Sequence, residues 1–327
     1  MRREVGQRSV KLSLLLHIGL LLLIAPGLEA EGEMEAPAAE PPPLHTFAIV
    51  YPIDHIFFDP VTEHAIRYGK ERRVRIIAEA PANRNVNTQI GIMRSLIDEE
   101  VDGIARCATE PMALAPLVDE ALAAGIPTIT FESDIPSSSR LCFLGTDNYR
   151  AGVHLAHVLA RELDYAREVI VCTGLSTQMS LNERIRGIRE TLRGEYPKVR
   201  IVDIRSGEGD PELTLATIEA QVADNPDFDA FISIDATGGP AAVSIWKAKG
   251  WTGEQRKIVT FDDMPDNLAG VRDGIVEAII SQKQWNWGPL IIDRLLDLIA
   301  GSAVPDYFDT GTVEIDTSNV DSYRHGE

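Results

Sequence analysis

Between Thr128 and Gly152 the chain ends one structural unit and begins another. The run T-I-T-F at 128–131 is short, apolar and β-branched, and it stops abruptly at Glu132 and Asp134. Carboxylates just beyond the carboxyl end of a buried parallel strand lie where open α/β sheets hold their ligands. A second apolar run at 141–144 follows, then Gly145, a helix start at Asp147 and Asn148, and a helix from Ala151. Any fold for this chain must therefore end a sheet at a polar edge here and restart beyond it.

Both flanks repeat one pattern. On the amino-terminal side strands are expected at 46–51, 74–78, 103–106 and 128–131, with helices at 60–71, 87–100 and 113–124. Ile90, Met93, Leu96 and Ile97 give the second helix an apolar stripe at i, i+3 and i+4 spacing. Gly125, with Pro127 beyond it, closes the third. After Gly145 the alternation restarts, with strands expected at 169–173, 199–204, 230–234, 257–261, 275–281 and 312–315. Helices are expected at 151–162, 181–193, 211–224, 239–249, 267–273 and 287–300. Strands alternating with helices imply parallel sheets covered on both faces, joined by right-handed crossovers. The expected class is α/β, with two Rossmann-like, doubly wound lobes and a cleft between their strand ends. A length of 327 residues accommodates two such lobes.

The first thirty residues are a separate object. Arg2, Arg3, Arg8 and Lys11 precede an apolar run at 12–25 that only His17 interrupts. The run has the length of a signal-peptide core and is shorter than the ~20 residues that span a bilayer. Leu28-Glu29-Ala30 offers cleavage after Ala30, with an uncleaved anchor as the alternative; either way the folded part is exported. Residues 31–44 are acidic and proline-rich, a composition that cannot bury a core, and read as a tether. A net charge of -19 argues against a nucleic-acid partner, because phosphate binding needs clustered Lys and Arg. Cys107, Cys142 and Cys172 are too widely spaced for a zinc site or a CxxC pair. A Cys107–Cys142 bridge is conceivable in an exported protein, but apolar strand-like surroundings favour three buried free thiols.

The carboxyl ends of the expected strands are polar throughout. The first supplies Asp54, His55, Phe57 and Phe58, and the fourth supplies Glu132, Ser133 and Asp134. Strand 169–173 leads to Thr177, Gln178, Asn182 and Arg184, strand 230–234 to Asp235, strand 257–261 to Asp262 and Asp263, and strand 275–281 to Gln282. Carboxylates, one arginine, amides and flat aromatic faces suit a neutral polyhydroxylated ligand, whose hydroxyls both donate and accept. An acidic sugar would need more positive charge. Asp147 and Asn148 read as helix caps, Trp285 and Trp287 as core or hinge packing, and His45, His64, His154 and His157 show no metal-like spacing. No metal or cofactor is expected.

These segments, taken in order, resemble the ribose/galactose type of periplasmic sugar-binding protein, the type I soluble receptors of ABC importers. The resemblance is carried by F-F at 57–58, E-S-D at 132–134, G-T-D-N-Y-R-A-G at 145–152 and N-E-R-I-R-G at 182–187. It continues with I-D-A-T-G-G-P-A-A at 234–242, V-T-F-D-D-M-P at 259–265 and S-Q at 281–282. It implies that Phe57 and Phe58 stack on a sugar ring, that Glu132 and Ser133 replace an Asp followed by Arg or Ser, and that Arg184, Asp235, Asp262 and Gln282 bind the ligand. It also implies three chain crossings near 145–148, 281–284 and 309–311. The lobes would then be 45–146 with 283–309 and 147–282 with 310–327, closing on the ligand about a hinge. Tyr51-Pro52 and His55 depart from the family's small and amide residues, and Glu132 is one methylene longer than Asp. These changes leave open another sugar, a deoxysugar or a sugar-like signal molecule.

The function expected is a monomeric, non-catalytic sugar or polyol receptor that presents its closed form to an ABC permease. A membrane sensor is the alternative partner. Sugar-responsive repressors share the core but need an N-terminal helix-turn-helix, where this chain has a hydrophobic export segment. A glycosidase would pair Glu132 with Asp235 or Asp262 at a controlled separation.

Overall fold

The computed structural model describes residues 43–82, 85–163 and 167–324. The expected export segment at 1–30, and residues 31–42 of the expected tether, lie outside them. The first lobe opens with β1 (His45–Val50), α1 (Asp59–Arg72), β2 (Val74–Glu79), α2 (Val86–Asp98), β3 (Gly103–Arg106), α3 (Pro111–Ala123), β4 (Thr128–Phe131) and β5 (Phe143–Gly145). The second contains α4 (Asn148–Glu162), β6 (Arg167–Thr173), α5 (Met179–Glu195), β7 (Val199–Ser206), α6 (Pro211–Asp224) and β8 (Ala230–Ser233). It continues through α7 (Gly238–Lys249), β9 (Lys257–Phe261), α8 (Pro265–Arg272) and β10 (Ala278–Ser281). The chain closes with α9 (Trp287–Ile299), β11 (Tyr307–Asp309) and β12 (Val313–Ile315).

Local chemistry sets many of these boundaries. Proline opens α3, α6 and α8, where its missing N–H costs nothing. Asn85, Asp147 and Asp210 cap α2, α4 and α6 by accepting a first-turn N–H. Asp147 is thus the cap expected of it. The strand expected at 275–281 begins only at Ala278, because Ile275 and Val276 both donate to the Gly270 carbonyl and finish α8 first. β11 was not expected, and neither were the short 3-10 turns at Ile56–Phe58 and Gln284–Asn286.

The strands form two six-stranded sheets, ordered β11-β5-β4-β3-β1-β2 and β12-β10-β9-β8-β6-β7. Apart from β12, which runs antiparallel to β10, every pairing is parallel. The two orders match strand for strand, and each reverses direction beside its first strand, the switch point where such sheets receive ligands. Alternate residues feed opposite faces. Phe47 and Ile49 pack with α1 and α9, and Ala48 and Val50 with α2 and α3. In the second lobe Val169 and Val171 face α4 and α5, while Ile170 and Cys172 face α6 and α7.

α9 follows β10 of the second sheet yet packs in the first lobe, where Trp287, Ile291, Ile292 and Leu295 join the Phe47 cluster. The chain therefore passes between the sheets three times, after β5, after β10 and between β11 and β12. Cys107, Cys142 and Cys172 are buried and free.

Arg106 is the exception to this apolar packing. It lies at the carboxyl end of β3 between Val50 and Thr130, is fully buried, and its three guanidinium nitrogens have no hydrogen-bond partner among the described residues. Burial pushes it down to about 10. An unpaired buried charge opposes folding. Arg106→Met, which keeps the length of the side chain, should raise the thermal midpoint by several degrees. A lower midpoint would show that the guanidinium has a partner in solution.

Candidate functional site

The cleft is built on two matching strand ends. β4 ends in T-F-E-S and β9 in T-F-D-D, and the acid of each, Glu132 and Asp262, has a positive φ of 60° and 68°. Left-handed backbone costs a residue with a Cβ about 1–2 kcal/mol, and in this fold it turns both carboxylates off their strands and into the cleft. Each turn is held by an asparagine amide. Asn148 donates to the Glu132 carbonyl at 3.2 Å and Asn267 to the Asp262 carbonyl at 2.8 Å.

Arg184 on α5, 1% exposed, joins the two. Its Nε donates to Asn148 Oδ1 at 2.8 Å and its Nη1 to the Ile234 carbonyl at 2.9 Å. Its Nη2 donates to Gln282 Oε1 at 2.6 Å and lies 3.4 Å from Glu132 Oε1. The guanidinium also stacks 4.5 Å above the Phe261 ring. Gln282 passes the network on, donating from Nε2 to Asp262 Oδ1 at 2.8 Å. Glutamine suits this place because one end accepts from a cation while the other donates to an anion.

Glu132 is fully engaged by the protein. Oε1 accepts from Ser180 Oγ at 3.0 Å as well as facing Arg184, and Oε2 accepts from Gln178 Nε2 at 2.6 Å and the Cys107 thiol at 2.9 Å. Burial, and then the Glu132 charge, hold Cys107 well above the usual thiol range, so it remains a donor. Gln178, Ser180 and Arg184 belong to the second lobe, so this one carboxylate ties the lobes together. Thr177, donating to the Thr109 carbonyl at 2.9 Å, does the same beside it.

The cleft holds about 580 Å³ of space, part of it open solvent. From the first lobe His55, Phe57, Phe58 and Glu132 line it, and from the second Arg184, Asp235, Asp262 and Gln282. His55 Nδ1 accepts from the Phe57 N–H at 3.2 Å, which puts the neutral ring's proton on Nε2. Phe58 stacks on Tyr51 at 4.7 Å, and Phe57 packs edge-on against Trp287 at 6.0 Å. Tyr51 is itself anchored to Thr62 at 2.7 Å, so the aromatic wall is rigid.

Three residues expected in the site lie outside its lining. The positive φ at Glu132 turns the chain, and Asp134 folds back to accept from Thr130 at 2.5 Å and pair with Arg140 at 2.7 Å. Ser133 is fully buried, its hydroxyl accepting from the Ser180 N–H at 3.3 Å. Asp54 faces a separate depression with Asp59 and Thr62. Asn148, read as a cap, instead positions Arg184 and Glu132. Asp263 accepts from Gln284 and Tyr323, a structural role. Gln178 and Glu208 line the cleft without having been chosen. Gln178 stood among the strand-end residues, and Glu208, in the turn after β7, would have emerged from the same rule applied to that strand.

Burial, outweighing the pull of Arg184 and Gln282, pushes Asp262 up to about 7, with Asp263 and Asp235 adding to the rise. Among the described residues no group of three or more His, Cys, Asp or Glu is placed to hold a metal ion.

Two doubly wound lobes meeting at their strand ends, over a cleft that combines hydrogen-bonding groups with aromatic rings, are the construction of a two-lobed solute receptor. Residues 47–303 match the family model of the periplasmic binding protein domain, and the chain belongs to that family. It is similar to the D-ribose/D-allose-binding protein of Pseudomonas aeruginosa, 27% identical over 267 residues that cover 79% of this chain and 82% of the relative. Among solved structures it resembles an ABC-transporter solute-binding protein from Burkholderia graminis in complex with D-arabinose. That match has a TM-score of 0.82 and 29% identity, covering 86% of this chain and 98% of the other. A sugar-binding protein of a sugar ABC transporter from Bacillus halodurans matches with a TM-score of 0.77 and 27% identity, covering 85% and 99%.

Two consequences are testable. A Cβ on Gly152 would stand 2.1 Å from the Arg184 carbonyl oxygen, and one on Gly187 2.2 Å from that of Tyr149. The α4–α5 crossing that positions Arg184 therefore needs both glycines. Gly152→Ala should cost about 1–3 kcal/mol or more in denaturant unfolding; an unchanged midpoint would mean that the helices separate freely. For Asp262, the folded protein keeps a proton that the unfolded chain releases near 3.8, so ligand-free stability should fall as pH rises from about 4 to 7. Asp262→Asn should accordingly gain much more at pH 8 than at pH 5 in melting experiments. Equal gains at both pH values would show an ordinary carboxyl.

Proposed function

We propose that this protein is an extracytoplasmic receptor that binds a monosaccharide or related small polyhydroxylated ligand between its lobes and presents the closed form to an ABC importer. The observation that carries this reading is the Arg184–Gln282–Asp262 chain, which faces the Phe57–Phe58 wall across the cleft. Hydroxyls of a sugar meet oriented donors and acceptors on one side, and its apolar face meets rings on the other. The ligands named for these relatives, ribose, allose and arabinose, belong to this class. The ligand-binding set is His55, Phe57, Phe58, Arg184, Asp235, Asp262 and Gln282, with Gln178 and Glu208 added. Glu132 acts chiefly on Arg184 and on the second lobe.

The moving bodies are 45–146 with 283–309 and 147–282 with 310–327, closing about the three crossings. The protein works as an exported monomer beside a membrane permease, without a cofactor. A catalytic role is disfavoured by Glu132, whose two oxygens are occupied by four protein donors and leave none for acid or base chemistry.

Melting temperatures recorded against pentoses, hexoses, deoxysugars and polyols test the reading. A ligand at ~100 times its dissociation constant adds about 2.7 kcal/mol of stability, an easily visible rise. The rise should vanish in Asp262→Ala protein that still folds, and the bound sugar should be recovered unchanged. A flat response to the whole panel, or a chemically altered sugar, would overturn it.

A further inference from the structure

Asp262 and Gln282 meet across the ends of β9 and β10, but the strands themselves stop pairing first. Their register runs only to Phe261 and Ile280, and the left-handed turn at Asp262 then bends the chain off the sheet. Beyond that point the Asp262 N–H still reaches the Ile280 carbonyl at 3.0 Å. The side chains next in sequence take over from the ladder. Asp263 follows Asp262 and Ser281 precedes Gln282; both are buried and neither lines the cleft.

One phenol joins these two neighbours. Tyr323 Oη donates to Asp263 Oδ2 at 2.5 Å and lies 3.1 Å from Ser281 Oγ. Burial, and then the Asp263 charge, hold the phenol above the usual tyrosine range, so its single proton stays and goes to the carboxylate, leaving its oxygen to accept from Ser281. The contacts close into a ring. Ser281 Oγ accepts from the Lys283 N–H at 3.2 Å, and Asp263 Oδ1 accepts from Gln284 Nε2 at 2.7 Å. Lys283 and Gln284 are consecutive and stand on the second crossing between the lobes, where Lys283 is itself left-handed with a φ of 56°. Asp263, Ser281 and Gln284 are nearly inaccessible, so bulk water would not replace a lost partner.

Tyr323 reaches this ring from the segment after β12, which is fixed to the second lobe. Asn319 Nδ2 donates to the Glu314 carbonyl at 2.9 Å, and the Tyr323 N–H donates to the Asn319 carbonyl at 2.9 Å. Val320 is buried, and Arg272 of α8 donates to its carbonyl at 3.1 Å.

Resting on the sugar-receptor reading, we propose that Tyr323 is a positioning residue of the binding site. Its phenol supplies the rung that β9 and β10 lack, holds Asp262 and Gln282 in register with each other and Gln282 with Arg184, and so sets the affinity for the sugar without touching it.

Tyr323→Phe in the full protein, which removes the phenol oxygen alone, tests this with two readouts. In ligand-free protein, hydrogen exchange should quicken severalfold at residues 262–264 and 281–284 and stay unchanged in β6, β8 and α4. In calorimetric titration with D-ribose, D-allose and D-arabinose, any of the three that binds the unsubstituted protein should bind the variant about tenfold more weakly, the scale of one lost buried hydrogen bond. Ile104→Val, a core trim on β3 of the first lobe, lowers stability by a similar mechanism-free amount and should leave both readouts unchanged. Equal affinity in Tyr323→Phe, or unchanged exchange at the two strand ends, would overturn the positioning role and leave the sugar receptor standing. A flat response of the unsubstituted protein to the whole sugar panel would remove the receptor reading instead, and the exchange contrast would still decide whether Tyr323 holds the strand ends.

Discussion

A guanidinium that is 1% exposed has to be neutralised and hydrogen-bonded in place, and much of the interlobe region of this protein is arranged around that demand. Arg184 takes its counter-charge from Glu132 across the cleft, its in-plane restraint from Asn148 and Gln282, and its lower face from Phe261. Each of these comes from a different segment: the end of β4, the start of α4, the end of β10 and the last residue of β9. Two of them, Asn148 and Gln282, stand at points where the chain passes between lobes. The pairing that satisfies the arginine thus also connects the cleft to the crossings about which the lobes would turn.

The same network explains why both strand-end acids tolerate left-handed backbone. A strand continued beyond Phe131 or Phe261 would alternate its next side chain into one of the helical layers. A positive φ at Glu132 and Asp262 breaks the alternation and sends the carboxylate forward instead. The strain is offset by an asparagine donating to the carbonyl of each turn, so the two lobes reach one solution with different helices. Arg106, buried one strand away with no hydrogen-bond partner among the described residues, shows the contrast: a charge in the same sheet without such an arrangement has only its burial cost.

Helix packing delivers Arg184 to this position. Gly152 and Gly187 let α4 and α5 approach until a carbonyl occupies the space a methyl group would need. Those glycines end the G-T-D-N-Y-R-A-G and N-E-R-I-R-G segments, so what reads as motif is in part the requirement of a close helix crossing. Glu132 has a comparable double role. Its extra methylene, noticed in the sequence as a departure, extends the carboxylate to Gln178 and Ser180 of the second lobe and to the Cys107 thiol of the first.

Periodicity and strand-end polarity were enough to establish two βα-repeated lobes and to nominate His55, Phe57, Phe58, Glu132, Arg184, Asp235, Asp262 and Gln282, all of which line one cleft. These features are local: a 3.6- or 2-residue repeat and a carboxylate after an apolar run are visible without knowing what lies opposite. Direction at a turn is not local. Glu132, Ser133 and Asp134 are consecutive and equally polar, and only the backbone φ together with Arg140, from the loop before β5, decided that the first enters the cleft and the third leaves it. Partnership is not local either. Asn148 looked like a cap until Arg184 was placed beside it. The sequence by itself determined which strands end in chemistry; the tertiary structure decided which of those groups are spent on one another and which remain to meet a ligand, because that depends on contacts between segments far apart in the chain.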